Sequence, residues 1–151
     1  MEIIGISLDA IQSFIAYLVT ATALTLIYVF VYIWVTPHPE FKLIRENNLA
    51  ASVAFAGSLV GFSLPLASVI AHSVALTDCV IWGLIAILVQ VFIFFLVRLP
   101  IRGISERIET GETSSGLWLG ATSLTVGLLN AACMSPRLIR LITMVHSGEF
   151  I

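Results

Sequence analysis

The chain has 151 residues, of which 59% are hydrophobic and 11% are charged, and its mean hydropathy is +1.07. Because soluble domains carry about 25% charged residues, this composition excludes a small soluble globule and makes the lipid bilayer the expected surroundings. A net charge of -2 excludes a nucleic-acid partner, which requires a dense basic surface. Two cysteines are too few for a disulfide framework or a thiolate metal cluster.

The first predicted membrane span runs from Ala10 to Thr36 and contains no charged residue. A helix needs about 20 residues to cross the hydrocarbon core, so this run is long enough. Phe14 and Tyr17 near one end, with Tyr32 and Trp34 near the other, predict interfacial aromatic belts. The run exceeds a signal-peptide core and follows no positively charged n-region, so we expect it to remain in the mature protein.

The first connector opens with Pro37 and Pro39, which end the helix because proline lacks an N–H and restricts the residue before it. The segment Glu40–Glu46 then predicts a short interfacial helix, with Phe41 and Ile44 on its apolar side.

The second span is predicted from about Leu49 to Val74, with Asn48 as its N-cap and Pro65 as an internal kink. A short connection leads to the third span, Cys79–Val97, which is rich in bulky and aromatic residues.

The second charged connector, Arg98–Glu112, predicts another interfacial helix because isoleucines recur at helical spacing. These are Ile101, Ile104 and Ile108. The fourth span is predicted from about Thr113 to Met134, and residues 136–147 predict a final helix lying on the membrane surface. The fold class is therefore all-α: one polytopic membrane domain with four spans and short interfacial helices.

The orientation follows from the positions of lysine and arginine, which concentrate on the cytoplasmic side of membrane proteins. The first and third connections hold Lys42, Arg45, Arg98, Arg102 and Arg107, whereas the other side holds only Arg137 and Arg140. We therefore expect a multi-pass inner-membrane protein with both termini outside the cytoplasm.

An internal repeat is predicted, because several landmarks coincide when the chain is shifted by 63 residues. The coinciding pairs are Pro37 and Pro100, Glu46 and Glu109, Ser52 and Ser115, Gly57 and Gly120, and Leu66 and Leu129. Repeat one spans about residues 10–74 and repeat two about residues 75–135. Since each repeat crosses the membrane twice, the two copies have the same direction.

Small residues predict where the spans meet, because hydrophobicity cannot drive helices together in lipid and close backbone approach must do so. The second span carries Ala50, Ala54, Gly57, Ser58 and Gly61, and the fourth carries Gly116 and Gly120. We expect these helix-packing residues to form a central contact between the second and fourth spans, flanked by the first and third.

None of the polar residues inside the predicted spans is Asp, Glu, Lys or Arg. Gln90 either lines a pathway or hydrogen-bonds a neighbouring helix, and the second reading is favoured. Asn130 either coordinates a solute or bonds the kinked backbone near Pro65, and again the second is favoured.

The remaining candidates give no site with a cofactor, a metal or a catalytic residue. His38 and His72 lie near opposite interfaces without nearby carboxylate or thiolate ligands, so a metal site is disfavoured. Cys79 and Cys133 fall at the outer ends of their spans, where a disulfide is one alternative. No serine lies in a nucleophile elbow and no His–carboxylate pair is evident, so we expect no enzymatic activity.

One long run, Thr36–Ser68, has the sequence T-P-H-P-E-F-K-L-I-R-E-N-N-L-A-A-S-V-A-F-A-G-S-L-V-G-F-S-L-P-L-A-S. This run resembles the YjfL-type family of bacterial inner-membrane proteins, which is domain-of-unknown-function family 350. The later L-L-N-A-A-C-M, Leu128–Met134, is similar to the end of such proteins. The resemblance implies a two-span unit that is often duplicated. Relatives tend to be encoded near phage-shock coat proteins and near ligases resembling glutathionylspermidine synthase, which implies envelope maintenance or polyamine-linked physiology. The tail from Pro136 is a departure from the short members.

Two functional hypotheses follow. The first is a non-enzymatic membrane subunit that self-associates through its glycine-bearing helices and offers its cytoplasmic loops to a protein partner. The second is an oligomeric channel or transporter for an ion or a polyamine, because a single four-helix unit fills its own core. Such a path would be lined by Ser58, Ser63, Thr122, Thr125 and Asn130.

Overall fold

A computed structural model of the chain describes residues 2–73 and 75–134, with side chains from residue 8 onward. In this part of the chain there are six α-helices and no strand. They are α1 Glu2–Val35, α2 Glu40–Arg45, α3 Leu49–His72, α4 Leu76–Arg98, α5 Ile104–Glu109 and α6 Thr113–Cys133. Four of them, α1, α3, α4 and α6, are long and apolar enough to cross a membrane, which confirms the all-α membrane class. The helix predicted over 136–147 lies outside the described residues.

The ends of the spans differ from the sequence prediction. The spanning helices contain Asp9, Asp78 and Arg98, so the expectation that no charged residue lies within a span is wrong at the helix ends. Backbone hydrogen bonding continues past the lipid-buried part of a helix into the headgroup layer, where charged side chains remain solvated. The apolar run therefore marks the depth of the hydrocarbon and underestimates the length of the helix.

The four long helices form a bundle, and two of them, α3 and α6, are its central pair. Helices α3 and α6 run parallel and make the most extensive contact, α4 lies against both, and α1 lies against α4 and α3. The α1–α4 contact is close at Gly83, where a Cβ would lie 2.6 Å from a methyl carbon of Leu24. Most of α1 faces outward, as the exposed side chains of Phe14 and Phe30 show.

Two apolar clusters fill the protein interior. One lies at the end of the bundle where the connectors are, and it includes the fully buried Ile104 and Ile108 of α5. The isoleucines of this connector thus face the protein core and not the membrane surface, because periodicity reveals an apolar face without revealing what covers it. The other cluster includes Tyr28, which stacks on Phe62 with ring centroids 4.4 Å apart.

The aromatic belt predicted at the connector end of α1 is only half present. Trp34 is 82% exposed, whereas Tyr32 is 5% exposed and packs against Phe55 and Phe94. The two residues are two positions apart on a helix and therefore point in different directions, so only one of them can face the interface.

The two connectors share one pattern of backbone hydrogen bonds. In the first connector, backbone amides donate to backbone carbonyls in the pairs Leu43 to Pro39, Glu46 to Lys42 and Asn48 to Leu43. In the second connector, the corresponding pairs are Arg107 to Gly103, Thr110 to Glu106 and Glu112 to Arg107. Each pair is 64 positions apart, and so are Asn47 and Gly111, both of which have a positive φ. The offset in the connectors is thus one residue more than the 63 predicted from matching residue types.

Candidate functional site

The central contact between α3 and α6 is made by backbone meeting backbone. A Cβ built on Gly57 would overlap Gly120, one on Gly116 would overlap Ala50, and one on Gly120 would lie 2.7 Å from the carbonyl oxygen of Val53. Only glycine permits this separation. The neighbouring Ala50, Ala54 and Ser58 are buried along the same seam.

Gly127 belongs to this seam as well, although the sequence analysis did not single it out. A Cβ on Gly127 would overlap the carbonyl oxygen of Gly61. Pro65 lies inside α3 and has no N–H, so the Gly61 carbonyl one turn earlier lacks its helical donor. The close approach of Gly127 covers this oxygen and allows a weak Cα–H···O contact. The sequence signal was the seven-residue spacing from Gly120 to Gly127, two helical turns on the same face.

Hydrogen bonds cross the middle of the bundle beside the glycines. The Gln90 amide of α4 donates to the carbonyl oxygen of Ser123 at 3.2 Å, and the Ser58 hydroxyl donates to the Ser123 hydroxyl at 3.2 Å. Tyr28 donates to the carbonyl oxygen of Ser58 at 3.1 Å. Gln90 thus bonds a neighbouring helix, while its carbonyl oxygen is buried without a partner. Ser123 joins three helices.

Asn130 does not make the bond expected for it. Its side-chain nitrogen is buried and has no hydrogen-bond partner. The carbonyl freed by Pro65 is that of Gly61, and the backbone of Gly127 takes the space beside it.

A His–carboxylate pair is present at the junction of α1 and α2, contrary to the sequence analysis. His38 Nε2 and Glu40 Oε1 lie 2.7 Å apart with both side chains fully buried. The geometry is that of an ion-pair contact and not of an aligned hydrogen bond, since neither group has a hydrogen-bond partner. The prediction that His38 lies near an interface without a nearby carboxylate is therefore wrong, because Glu40, two residues later, is buried beside it.

The two cysteines are free thiols in the structure. Cys79 is buried and Cys133 is exposed. Neither they nor the histidines gather ligands: in residues 2–73 and 75–134 no three His, Cys, Asp or Glu side chains are grouped as a metal site would require.

A cavity of about 170 Å³ opens at the end of the bundle opposite the connectors. Its lining combines apolar side chains with His72, Asp78 and the ring of Trp82, and it also includes Cys133. A cavity lined by a carboxylate and an indole ring suits a small organic cation, because both groups attract positive charge.

The connector end forms a structured surface that we call the platform: helices α2 and α5 with the turns at 46–48 and 110–112. Its apolar side is buried, and its exposed side carries Lys42, Arg45, Glu46, Glu106, Arg107 and Glu109. Arg107 Nε donates to Glu112 at 2.6 Å, and this bond holds the pKa of the Glu112 carboxyl below its ordinary value.

Comparison with known proteins adds the family. The Domain of Unknown Function DUF350 matches residues 6–134. The chain belongs to the DUF350 family. It is 41% identical over 128 residues to the UPF0719 inner membrane protein YjfL of Escherichia coli K12, and equally to that of Escherichia coli O157:H7, covering 85% of this chain and 97% of each relative. No solved structure matches the chain. The DUF350 match includes all six described helices from residue 6 onward, so the seam, the buried pair and the platform lie within the family domain.

Proposed function

We propose that this DUF350 protein is a non-enzymatic, multi-pass subunit of the bacterial inner membrane, which self-associates and presents the platform to a cytoplasmic protein partner in envelope maintenance or stress. The inner-membrane location rests on the name of the relatives and on the four apolar helices. The two-repeat organisation is part of the proposal and is supported by the shared hydrogen bonds of the connectors.

The platform is the observation that carries the partner-binding role. Its two short helices are anchored by Leu43, Ile104 and Ile108 in the core, and Asn48 ties α5 to the start of α3. A connector needs no such anchoring merely to join two spans. A charged surface held rigidly by a scaffold is typical of binding sites, because little conformational entropy is lost when a partner binds.

The surface for self-association has to be a different one from the glycine seam. Gly57 and Gly120 are in contact within one chain, so they are not available to a second copy, contrary to the sequence hypothesis. The outward face of α3 carries further small residues at helical spacing, Ala56, Ser63 and Ala67, all of them exposed. We assign contacts between copies to this face, where close backbone approach is open to a second helix.

Photo-crosslinking in native membranes tests the platform. A crosslinking amino acid placed at Glu106, on the exposed side of α5, is expected to give one defined protein adduct. The same residue placed at Phe14, on the lipid-facing side of α1, serves as the control and is expected to give lipid adducts only. Equal patterns from the two positions, or lipid alone from Glu106, would contradict the proposed role of the platform.

Solute transport is the second candidate, and the cavity beside Asp78 and Trp82 is the observation that favours it. The residues predicted to line an oligomeric pore do not share one surface: Ser58 is buried between α3 and α6, whereas Ser63 and Thr125 are exposed. Flux of an ion or a polyamine into vesicles containing only this protein tests this function. D78N should reduce the flux, and D9N is the control because Asp9 is exposed on α1 and does not line the cavity.

A further inference from the structure

Three buried polar side chains meet where α1 gives way to α2. Tyr32 is on the last turns of α1, His38 is in the linker and Glu40 begins α2, and their exposures are 5%, 2% and 1%. The Tyr32 hydroxyl lies near the Glu40 carboxyl and near Ser58, yet it makes no aligned hydrogen bond to either. Polar groups this deeply buried are costly unless they have partners.

The local sequence explains why these groups point inward. Pro37 and Pro39 stand on either side of His38 and are exposed, and each restricts the backbone of the residue before it. The chain therefore cannot continue as a helix through His38. It turns so that the alternate residues Thr36, His38 and Glu40 are buried while the prolines face out.

The charge of the pair is constrained by its surroundings. The four oxygen and nitrogen atoms of the two groups have no other partner, so a net charge would be uncompensated in a medium of low dielectric. With one shared proton the pair is neutral overall, either as imidazolium with carboxylate or as imidazole with carboxylic acid. Loss of that proton leaves a charge of −1, and gain of a second leaves +1.

The neighbouring charges do not alter this. On α2 itself, Lys42, Arg45 and Glu46 are on the exposed face. On α4 the charged residues are Asp78, at the far end, and Arg98, whose guanidinium lies over the ring of Phe94, with Phe94 in turn against Tyr32. From α1 the phenols of Tyr32 and Tyr28 face the interior, and α3 carries no acidic or basic residue except His72 at its far end.

A small cavity continues from Tyr32 into the middle of the bundle. It is lined by Tyr28, Tyr32, Ser58, Gln90 and Ser123 together with apolar side chains, and it offers about 10 Å³ for the centre of a water molecule, enough for one. Two polar groups in its lining, the Tyr32 hydroxyl and the Gln90 carbonyl oxygen, have no partner. One water there would satisfy both.

We propose that His38 and Glu40 form a buried proton-binding site, and that Tyr32 and one internal water connect it to Gln90 and the Ser58–Ser123 contact at the centre of the bundle. The ligand is a proton. Binding it changes no covalent bond other than the N–H or O–H that is made, and the same proton is released by the reverse step.

Nitrogen NMR of ¹⁵N-histidine-labelled protein in bilayers tests the proton site. His72, exposed on α3, is the internal reference. At the same pH the His38 ring-nitrogen signals are expected to differ from those of His72, because His38 Nε2 lies against the buried Glu40 carboxyl. In E40Q the His38 signals should change, because the carboxyl group that shares the proton is gone. In E46Q, which neutralises an exposed glutamate of the neighbouring turn, neither histidine should change.

The comparison of His38 with His72 in the wild-type protein needs no variant, so it holds even where E40Q does not fold. His38 signals that match those of His72, or that stay the same in E40Q, would overturn the proposal. Transfer of magnetisation from water tests the internal water. The Gln90 side chain should receive magnetisation in the wild-type protein and less of it in Y32F. In Y17F, a matched change away from the cavity, the transfer to Gln90 should equal that in the wild-type protein. A Gln90 side chain that receives none, or that is unaffected by Y32F, would overturn the connection.

Discussion

Asn48 and Ile108 are joined across 60 positions of sequence by a hydrogen bond of 2.9 Å from the side-chain amide to the backbone carbonyl. The same amide reaches the backbone carbonyl of Glu109 at 3.1 Å, while the side-chain oxygen Oδ1 of Asn48 caps α3 by accepting from the Ala51 backbone amide at 3.0 Å. One side chain thus begins a membrane span and fastens the last turn of α5 to it.

Substitutions at Asn48 should separate these two roles. N48A loses the cap and the fastening, and we expect a loss of about 2 kcal/mol in the free energy of unfolding. N48S keeps a capping oxygen but has no donor that reaches α5, so its loss should be about 1 kcal/mol. Reversible unfolding in bicelles measures both values. A stability of N48S equal to that of the wild-type protein would show that the bonds to α5 contribute nothing.

A leucine at Gly57 should be far more damaging than a leucine at its neighbour Ala56. The Gly57 position faces the backbone of Gly120, and overpacking of this kind costs about 3 kcal/mol or more because neither helix backbone can move aside without opening the seam. Ala56 is about 100° away from Gly57 around the same helix and is exposed, so A56L is the matched control for G57L.

Subunit counting by single-molecule photobleaching distinguishes the seam from the contact between copies. We expect A56L to keep the folded protomer and to reduce the number of subunits, whereas G57L loses the folded protomer. Should G57L fold normally and only the subunit number fall, the glycines would lie between copies and the seam described here would be wrong.

The sequence predicted the parts of the fold that depend on local composition. Uninterrupted apolar runs located the four spans, and an asparagine before an apolar helix predicted the cap at Asn48. Glycines four residues apart, such as Gly57 and Gly61, mark a face that another helix can approach, and this face does lie against α6.

The features that depend on tertiary geometry could not be predicted. The meeting of Gly61 with Gly127 depends on the crossing of the two helices and on a carbonyl released by Pro65. The burial of His38 and Glu40 depends on the turn direction at two prolines, and a polar connector between spans normally faces water. Such packing is decided by the neighbouring elements, which periodicity in one segment does not reveal.

The Ser58–Ser123 hydrogen bond should couple α3 and α6 weakly. A double-mutant cycle with S58A and S123A is expected to give an interaction energy of about 0.6 kcal/mol, the average for such bonds between membrane helices. The matched control is S63A, because the Ser63 hydroxyl bonds the Leu59 carbonyl of its own helix and faces outward. Coupling between S63A and S123A as large as that of the buried pair would contradict a direct Ser58–Ser123 contact.

Acid should weaken the start of α6 through Glu112. Its carboxylate accepts from Arg107 Nε and from the hydroxyls of Ser114 and Ser115, and the Arg107 bond is the main cause of a pKa below the ordinary 4.5. Since the folded state favours the ionised form, this stabilisation is present above pH 4.5 and is lost as the pH falls through the lower folded-state value.

E112Q should therefore flatten the dependence of unfolding free energy on pH below 4.5, and R107M should do the same. E106Q, which neutralises another exposed glutamate of the platform, is the control and should leave the slope as in the wild-type protein. A pH dependence of the unfolding free energy that is the same in E112Q, R107M and E106Q would show that Glu112 makes no special contribution to it.

The proposed orientation can be measured at Cys133 and on the platform. Cys133 is exposed at the end of α6 opposite the platform, and Cys79 is buried. A membrane-impermeant maleimide added to intact spheroplasts should label the wild-type protein and C79A equally, and should not label C133A. In a chain without native cysteines, K42C, on the exposed side of α2, should react only after the membrane is opened. The opposite pair of results is labelling of K42C in intact spheroplasts and labelling of Cys133 in the wild-type protein only after lysis. These results would place the platform outside the cytoplasm and remove the basis for a cytoplasmic partner.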